Sequence, residues 1–220
     1  MGADFPFRDR RHAGRVLARL LDHLRDRPGL LVLALPRGGV AVGFEVAHAL
    51  HAPLDVFVVR KLGYPGHEEY AMGAIATGGV QVFNPDTSSI APAVLARVAA
   101  RERVELERRE KLYRGDHAAP ALRGRTVIVV DDGLATGSTM RAALIAIRQQ
   151  QPAHVCVAVP VGARETCERL RSEADEVVCA AMPRAFSAVG PAYLEFPQAS
   201  DGEVHVLLEA ARLERALETH

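Results

Sequence analysis

The sequence has no tryptophan, only three cysteines and few aromatic residues of any kind in its 220 positions. Cys156, Cys167 and Cys179 lack a C-x-x-C spacing, which favours reduced thiols over a disulfide framework or a zinc site. No apolar run approaches the roughly 20 residues that a membrane-spanning helix needs. The arginine-rich N-terminal segment also carries acidic residues, unlike a transit peptide. We therefore expect a soluble, cytoplasmic protein without a membrane partner.

The chain also lacks an excess of charge of either sign, because 27 Lys and Arg residues balance 27 Asp and Glu residues. A neutral chain has no general attraction for nucleic acid, so we expect no nucleic-acid partner. Any site for an anion must then be built locally. The length suits one domain, which we predict to span residues 1–220.

Short apolar runs typical of buried strands alternate along the chain with segments of helical periodicity. This rhythm predicts an α/β fold of the Rossmann-like, doubly wound kind, with a mostly parallel sheet. The predicted strands are residues 30–35, 55–63, 125–132, 154–162 and 176–182. The predicted helices are residues 11–27, 39–50, 93–114, 138–150 and 163–173, with a final amphipathic helix at the C-terminal end.

Residues 62–84 interrupt this rhythm. Residues 62–70, LGYPGHEEY, hold two glycines, a proline and charges, which is typical of a mobile loop. Two short apolar runs then flank Gly78-Gly79, a pair that suits a two-residue hairpin turn. We expect a loop followed by a hairpin.

The stretch VIVVDDGLATGSTM places Asp131 and Asp132 directly behind a buried strand. Two adjacent carboxylates repel each other unless a ligand or a divalent cation uses them. The small, hydroxyl-rich loop that follows leads into a helix, and such loops turn backbone N–H groups toward a phosphate. Carboxylates accept hydrogen bonds from vicinal sugar hydroxyls. The pattern therefore predicts a holder for ribose 5-phosphate rather than an ordinary capped turn, with its phosphate cradle at Ala135, Thr136, Gly137, Ser138 and Thr139.

This stretch resembles the phosphoribosyl pyrophosphate (PRPP) signature of type I phosphoribosyltransferases, in which four apolar residues and two acids precede a TGxT phosphate loop. The resemblance extends over roughly residues 10 to 210 in the order of elements. It implies a mobile catalytic loop and hairpin at 62–84, and a small hood formed by 183–203 with the N-terminal segment. It also implies Mg²⁺ as cofactor, held by Asp131 and Asp132 directly or through water, and a homodimer.

The segment LPRGG, residues 35–39, resembles the pyrophosphate loop of that family. The resemblance implies a non-proline cis peptide bond at Arg37–Gly38. Independently of the family, Gly38 and Gly39 allow backbone N–H groups to approach a diphosphate closely. Arg60 and Lys61 end the next predicted strand, where two cations together with Mg²⁺ would neutralise a pyrophosphate leaving group.

The resemblance is weakest where the acceptor would bind. Many purine enzymes of the family have a carboxylate at the position of Ala135. The candidate proton acceptors that remain are Glu68 and Glu69 of the loop, or a group that the sequence does not identify. Phe186 and Tyr193, like the nearby Phe196, are candidates for stacking on a planar base, although aromatic residues near a final helix are more often core.

Together with these residues, the resemblance implies an Mg²⁺-dependent transferase that moves ribose 5-phosphate from PRPP to a nitrogenous base and releases pyrophosphate. Two alternatives use the same cradle. One is a regulatory protein that binds PRPP or a nucleotide without catalysis, and the other is a nucleotide hydrolase or phosphorylase. The acceptor stays open at this stage.

Overall fold

A computed structural model describes residues 5–65, 67–84, 87 and 90–218, with only the backbone described at 67–71 and 218. Its helices are α1 (Arg10–Leu20), α2 (Gly39–Ala49), α3 (Pro92–Arg114), α4 (Ser138–Gln149), α5 (Arg164–Leu170) and α6 (Asp201–Glu218). Its strands are β1 (Leu31–Ala34), β2 (Leu54–Val56), β3 (Val59–Tyr64), β4 (His67–Ala76), β5 (Val80–Phe83), β6 (Thr126–Val130), β7 (His154–Val161) and β8 (Glu176–Ala181).

The central sheet is parallel and has the strand order β2-β1-β6-β7-β8. Helices cover both of its faces, so the predicted doubly wound α/β fold is confirmed. Strand β6 shows the reason, because all five of its residues are buried and alternate between two cores. Ile128 and Val130 join the core packed by α1, α2, α3 and α6, and Val127 and Val129 join the core packed by α4.

The segment 55–63, predicted as one strand, is two strands in two different sheets. β2 pairs with β1 in the parallel sheet, and β3 pairs antiparallel with β4 in a separate sheet of order β3-β4-β5. The break falls at Phe57 and Val58, whose side chains are buried like those of the β2 residues before them. Because apolar residues run on through the break, the sequence does not show where the chain leaves one sheet for the other.

The expected loop over 62–70 is shorter than predicted, because β3 continues to Tyr64 and β4 begins at His67. Their antiparallel pairing satisfies the backbone, with register shifts at Gly63. The second turn has three residues rather than two, since Ala76 pairs with Val80. The glycines within it have the expected positive φ angles, 85° at Gly78 and 74° at Gly79.

The N-terminal segment pairs with the tail of the chain beside the end of the sheet. Phe7 forms a parallel bridge with Tyr193, and Leu194 N–H donates to the Phe7 carbonyl at 2.8 Å. Phe7 and Tyr193 belong to a third, small hydrophobic cluster that also contains Val16 and Val161. Within the described ranges, no helix combines the length and apolar character needed to cross a membrane.

Candidate active site

The candidate site lies at the carboxyl ends of β1 and β6, which are neighbours in the sheet. The chain leaves β1 through α2 toward β2 on one side, and leaves β6 through α4 toward β7 on the other. Two connections that diverge in this way leave a crevice between them, the usual place for a ligand in an open parallel sheet. The turn before α2 and the loop before α4 therefore face each other.

Asp131 and Asp132 lie at the base of this crevice. Asp131 Oδ1 accepts a hydrogen bond from the Asp132 backbone N–H at 2.8 Å, and Asp132 Oδ2 accepts one from Arg10 Nε at 2.8 Å. Burial, followed by the charge of Asp132, raises the pKa of Asp131 well above its usual value. A cation or a hydrogen-bond donor brought by a ligand would favour the ionised pair.

The glycine turn packs directly against the acidic pair. A Cβ atom on Gly38 would collide with the Asp132 carboxylate, and one on Gly39 would lie 2.7 Å from the Val130 carbonyl oxygen. Neither position therefore accommodates a side chain without a shift of strand β6 or its acids. The glycines bring the two loops together, which is a packing role that spacing alone did not reveal.

The backbone N–H groups of the glycine turn are of two kinds, those with a hydrogen-bond acceptor among the described residues and those without one. Gly39 N–H donates to the Leu35 carbonyl at 3.1 Å, so it is used within the turn. The N–H groups of Arg37 and Gly38 donate to no acceptor within the described part of the chain. The cis peptide bond expected at Arg37–Gly38 lies one residue earlier, between Pro36 and Arg37. Gly38 already has helical angles, φ −58° and ψ −37°, which places the change of direction before it.

The predicted phosphate cradle is the turn into α4. Gly137 has φ 72°, and a Cβ atom there would lie 2.5 Å from Thr166 Cγ2. Thr166 also holds the loop in place, because its Oγ1 donates to the Ala135 carbonyl at 2.8 Å. The left-handed glycine turns the chain so that the N-terminus of α4 opens toward solvent.

Three polar side chains converge at the mouth of this cradle. Thr136 Oγ1 and Ser138 Oγ lie 3.2 Å apart, and Lys61 Nζ donates to Ser138 Oγ at 2.6 Å. Thr139 is exposed in the first turn of the helix. An ammonium group, hydroxyls and a helix N-terminus together form a site of positive potential suited to a phosphate monoester.

The predicted basic pair is divided between two places. Lys61 reaches the phosphate cradle, whereas Arg60 donates to Glu102 Oε2 on α3 at 2.6 and 3.0 Å. Successive side chains of a strand point to opposite faces, and both residues belong to β3. The structure therefore brings only one of the two cations to the crevice, and at the cradle rather than at the glycine turn.

The aromatic residues considered for base stacking have other contacts. Tyr193 is buried, and its hydroxyl donates to the Asp132 carbonyl at 2.5 Å. Phe186 packs against the small hydrophobic cluster that contains Phe7. Tyr193 and Phe196 stack at 5.0 Å between ring centroids, and the guanidinium carbon of Arg10 lies 3.8 Å from the Phe196 ring centroid. The Tyr193 and Phe196 rings therefore pack beside the acidic pair, where the tail of the chain meets the N-terminal segment.

Arg10 is the site residue that the sequence did not reveal. Its side chain connects Asp132, the Phe196 ring and the Pro197 carbonyl, which accepts from Nη1 at 2.7 Å. Nothing in an arginine-rich helix start distinguishes it, apart from the expectation that the N-terminal segment contributes to the hood. The side chains of Glu68 and Glu69, the candidate proton acceptors, lie outside the described residues.

Comparison with known proteins agrees with this geometry. A family model described as "Phosphoribosyl transferase domain" matches residues 10–195. The chain therefore belongs to the phosphoribosyl transferase domain family.

Two curated relatives and one solved structure match most of this chain. Two Mycobacterium tuberculosis proteins named "Putative phosphoribosyl transferase", MT0597 and Rv0571c, are 45% identical over 208 residues, which is 93% of this chain. The chain spans about half of their length, 47%. The crystal structure of TT1426 from Thermus thermophilus superposes with a TM-score of 0.83 at 47% identity, covering 92% of this chain and 97% of that one.

Proposed function

We propose that the protein transfers the ribose 5-phosphate group of PRPP to a nitrogenous acceptor and releases pyrophosphate. The observation that carries this proposal is the meeting of three parts at one edge of the sheet. The glycine turn at Gly38 packs against Asp132, and the cradle that follows Asp132 is completed by Lys61. Their order matches that of the diphosphate, the ribose and the 5-phosphate in PRPP.

Each part has a role that follows from its chemistry. The cradle and Lys61 hold the 5-phosphate, and Asp131 and Asp132 accept hydrogen bonds from the ribose hydroxyls. The N–H groups of Arg37 and Gly38 bind the pyrophosphate. In the reaction the acceptor nitrogen forms a bond to C1 of the ribose, and the bond from C1 to the pyrophosphate oxygen breaks. Pyrophosphate leaves with that electron pair, and the acceptor nitrogen loses its proton to a nearby base or to solvent.

The acidic pair fits a magnesium ion that arrives with the substrate. Carboxylate oxygens are suitable ligands, and Mg²⁺ is commonly held by one or two carboxylates together with substrate phosphates and water. Across the described ranges, no group of three or more His, Cys, Asp and Glu residues is placed to hold a metal on its own. Asp131 and Asp132 would therefore hold the ion together with substrate oxygens and water. When bound, the ion would neutralise part of the charge of the pyrophosphate.

The hairpin of β3 to β5 lies beside the cradle, where a closing segment would exclude water from a cationic ribosyl centre. We propose that the segment near residues 62–84 closes in this way. Glu68 or Glu69 would then reach the acceptor. Lys61 of β3 already contacts Ser138 in the cradle, so this end of the segment would stay at the site when the rest closes.

The test is pyrophosphate release from PRPP and Mg²⁺ with a panel of purine and pyrimidine bases and without a base. Release that depends on a base supports the transferase, and release without a base supports the hydrolase alternative. PRPP binding without any release supports the regulatory alternative.

The acidic pair provides the matched variants for this assay. Asp131→Asn with Asp132→Asn should lower the rate at least 100-fold with little loss of melting temperature, because both carboxylates act on the ligand. Asp116→Asn, an exposed acid beyond α3, is the control and should behave as wild type. Equal losses of activity and melting temperature in the double variant would contradict the role assigned to the pair.

A further inference from the structure

Two cavities follow one another on the hood side of the acidic pair. The inner one, about 410 Å³, lies between Gly38, Asp132 and the tail residues Phe196–Ala199. The outer one, about 590 Å³, lies between the start of α1, the glycine turn and α6. Arg10 and Arg37 line both cavities, so the two are adjacent. An acceptor that reaches C1 of a ribose at Asp132 must occupy the inner cavity, and the outer one gives it room to extend.

Much of the outer cavity has an apolar wall. Its carbon surface comes from Ala41 of α2, from Pro197 and Ala199 of the tail, and from Val204 and Leu207 of α6. Ligand cavities of this size usually combine such a wall with a few polar groups that fix orientation. The wall suits the flat body of an aromatic or heteroaromatic molecule.

The acidic side chains around the cavity are already held by neighbours. Asp9 caps α1, accepting from the His12 N–H at 2.7 Å and pairing with Arg8 at 2.8 Å. Glu203 Oε2 accepts from both the N–H and the hydroxyl of Ser200, at 2.7 and 2.9 Å, in a capping box at the start of α6. These carboxylates serve the helix ends, so they do not need a cation from the ligand.

Glu195, the third acid of the lining, lies close to Arg8. The pKa of Arg8 is raised mainly by its hydrogen bond to Asp9, and the charge of Glu195 adds to that rise. The negative charges of the lining therefore each have a cation or a helix terminus beside them.

Of the three arginines that line the outer cavity, two are paired with described acidic residues and one is not. Arg11 donates to Glu45 at 2.5 Å, and Arg10 donates to Asp132 at 2.8 Å. Arg37 is exposed and has neither a hydrogen bond nor an ion pair from its side chain to any residue that the structure describes. A guanidinium group with five free donors faces a cavity whose other charges are compensated.

Arg37 lines the outer cavity together with Gly202 and Glu203 at the start of α6. Burial and a hydrogen bond to Asp201 raise the pKa of Tyr113 to about 12, and the charge of Arg37 opposes that rise. The Arg37 side chain therefore borders the outer cavity, while the Arg37 backbone belongs to the glycine turn.

We propose that the acceptor is a heteroaromatic or aromatic acid whose carboxylate is bound by the Arg37 side chain and whose ring lies along the apolar wall. This inference rests on the proposed phosphoribosyltransferase activity and names the acceptor class of the same site. Guanidinium and carboxylate form paired, charge-assisted hydrogen bonds, which a neutral amide of the same shape does not reproduce. The Arg37 N–H remains with the pyrophosphate, so one residue contacts both substrates.

The test uses three acids and their amides as matched probes: pyridine-3-carboxylate, 2-aminobenzoate and imidazole-4-carboxylate. Calorimetric titration into the full chain, with Mg²⁺ and ribose 5-phosphate present, gives the affinity of each. At least one acid should bind at least tenfold more tightly than its amide. Arg37→Gln should remove this preference and leave the affinity for the amide unchanged. Arg11→Gln is the control that should keep the preference, because Arg11 is paired with Glu45.

Equal binding of acids and amides, no binding by any acid, or a preference that survives Arg37→Gln would overturn the inference. PRPP binding in the presence of Mg²⁺ is measured on the same protein. If PRPP binds and the acids show no preference, only the acceptor class is wrong. If PRPP does not bind at all, the proposed function fails, and this inference fails with it.

Discussion

Gly137 shows how a single residue shapes the phosphate cradle. Its φ of 72° lies in the left-handed region, which costs other residues roughly 1–2 kcal/mol, and Thr166 fills the space where a side chain would begin. The same threonine holds the Ala135 carbonyl. A side chain at 137 would therefore displace the support of the loop as well as strain its backbone.

We predict that Gly137→Ala weakens PRPP binding at least tenfold. The reason is that the new methyl group separates Thr166 from the loop and moves the N–H groups that face the phosphate. Calorimetric titration with PRPP and Mg²⁺ measures the effect directly.

Gly124→Ala is the matched control for this prediction. Gly124 also has φ 72°, but nothing lies within 4 Å of the position its Cβ atom would take. That variant should lose about 1 kcal/mol of unfolding free energy from strain and bind PRPP as wild type does. Similar PRPP affinities for the two variants would show that the contact with Thr166 has no part in the cradle.

At the scale of elements, Arg114 joins α3 to strand β2 of the central sheet. This side chain is 3% exposed and donates to Asp55 Oδ1 at 2.8 Å, to the Val56 carbonyl at 2.5 Å and to Glu110 at 2.9 Å. Elsewhere α3 also carries ion pairs at its surface, such as those of Glu105 with Arg108 and Arg109. The helix is therefore held at its C-terminal end by a buried ionic contact.

We predict that Asp55→Ala lowers the free energy of unfolding by about 3 kcal/mol or more, because it leaves the buried Arg114 with fewer partners. Urea denaturation measures this change. Glu105→Ala removes the surface pairs with Arg108 and Arg109 and should cost less than about 1 kcal/mol. If both variants lost the same amount, the buried contact would not anchor the helix.

A second contact joins α3 to α6, where the Tyr113 hydroxyl donates to Asp201 Oδ1 at 2.6 Å. Burial, followed by this bond, raises the pKa of Tyr113 to about 12, above the value near 10 of an unfolded chain. The folded state therefore retains the proton longer than the unfolded state. Its contribution to stability is fully present below pH 10 and is lost as the pH rises from 10 to 12.

We predict that the difference in unfolding free energy between wild type and Tyr113→Phe shrinks over that interval, by on the order of 2 kcal/mol in total. Denaturation curves collected at intervals from pH 9 to 12 follow it. A difference that stays constant across the interval would contradict the raised pKa.

On the scale of the whole molecule, the site unites segments that are distant in sequence. Arg10 comes from α1, Gly38 from the turn after β1, Lys61 from the hairpin sheet, and Asp132 from the end of β6. A ligand that binds all of them holds these elements together only in the folded state. Binding should therefore stabilise the fold as a whole.

We predict that PRPP with Mg²⁺, at a concentration 100 times its Kd, raises the free energy of unfolding by about 2.7 kcal/mol. At that same concentration Lys61→Gln should gain about 1.4 kcal/mol less, corresponding to a tenfold weaker Kd. Lys111→Gln, on the exposed face of α3, is the control and should gain as much as wild type. An equal gain for all three proteins would show that Lys61 does not contact the ligand.

Assembly into a homodimer and location in the cytoplasm stay predictions. The helix α3 exposes Val104 and Leu112, 69% and 40% accessible. Sedimentation equilibrium on the full chain measures the association directly.

The amino-acid sequence by itself determined the α/β class and the order of the buried strands, and it predicted the acidic pair with a phosphate loop behind it. These features depend on neighbouring residues, since periodicity, glycine and adjacent carboxylates act over a few positions. The sequence also indicated both parts of the hairpin, although not its boundaries. Asp131, Asp132 and Ala135–Thr139 needed no distant contact to be recognised.

Only the tertiary structure decided which side chains meet. It split residues 55–63 between two sheets, separated Arg60 from Lys61, and brought Arg10 across 122 positions to Asp132. It also placed Tyr193 behind the acids and left the Arg37 guanidinium facing the outer cavity. Such contacts depend on how elements pack, and packing joins residues whose separation along the chain carries no local pattern.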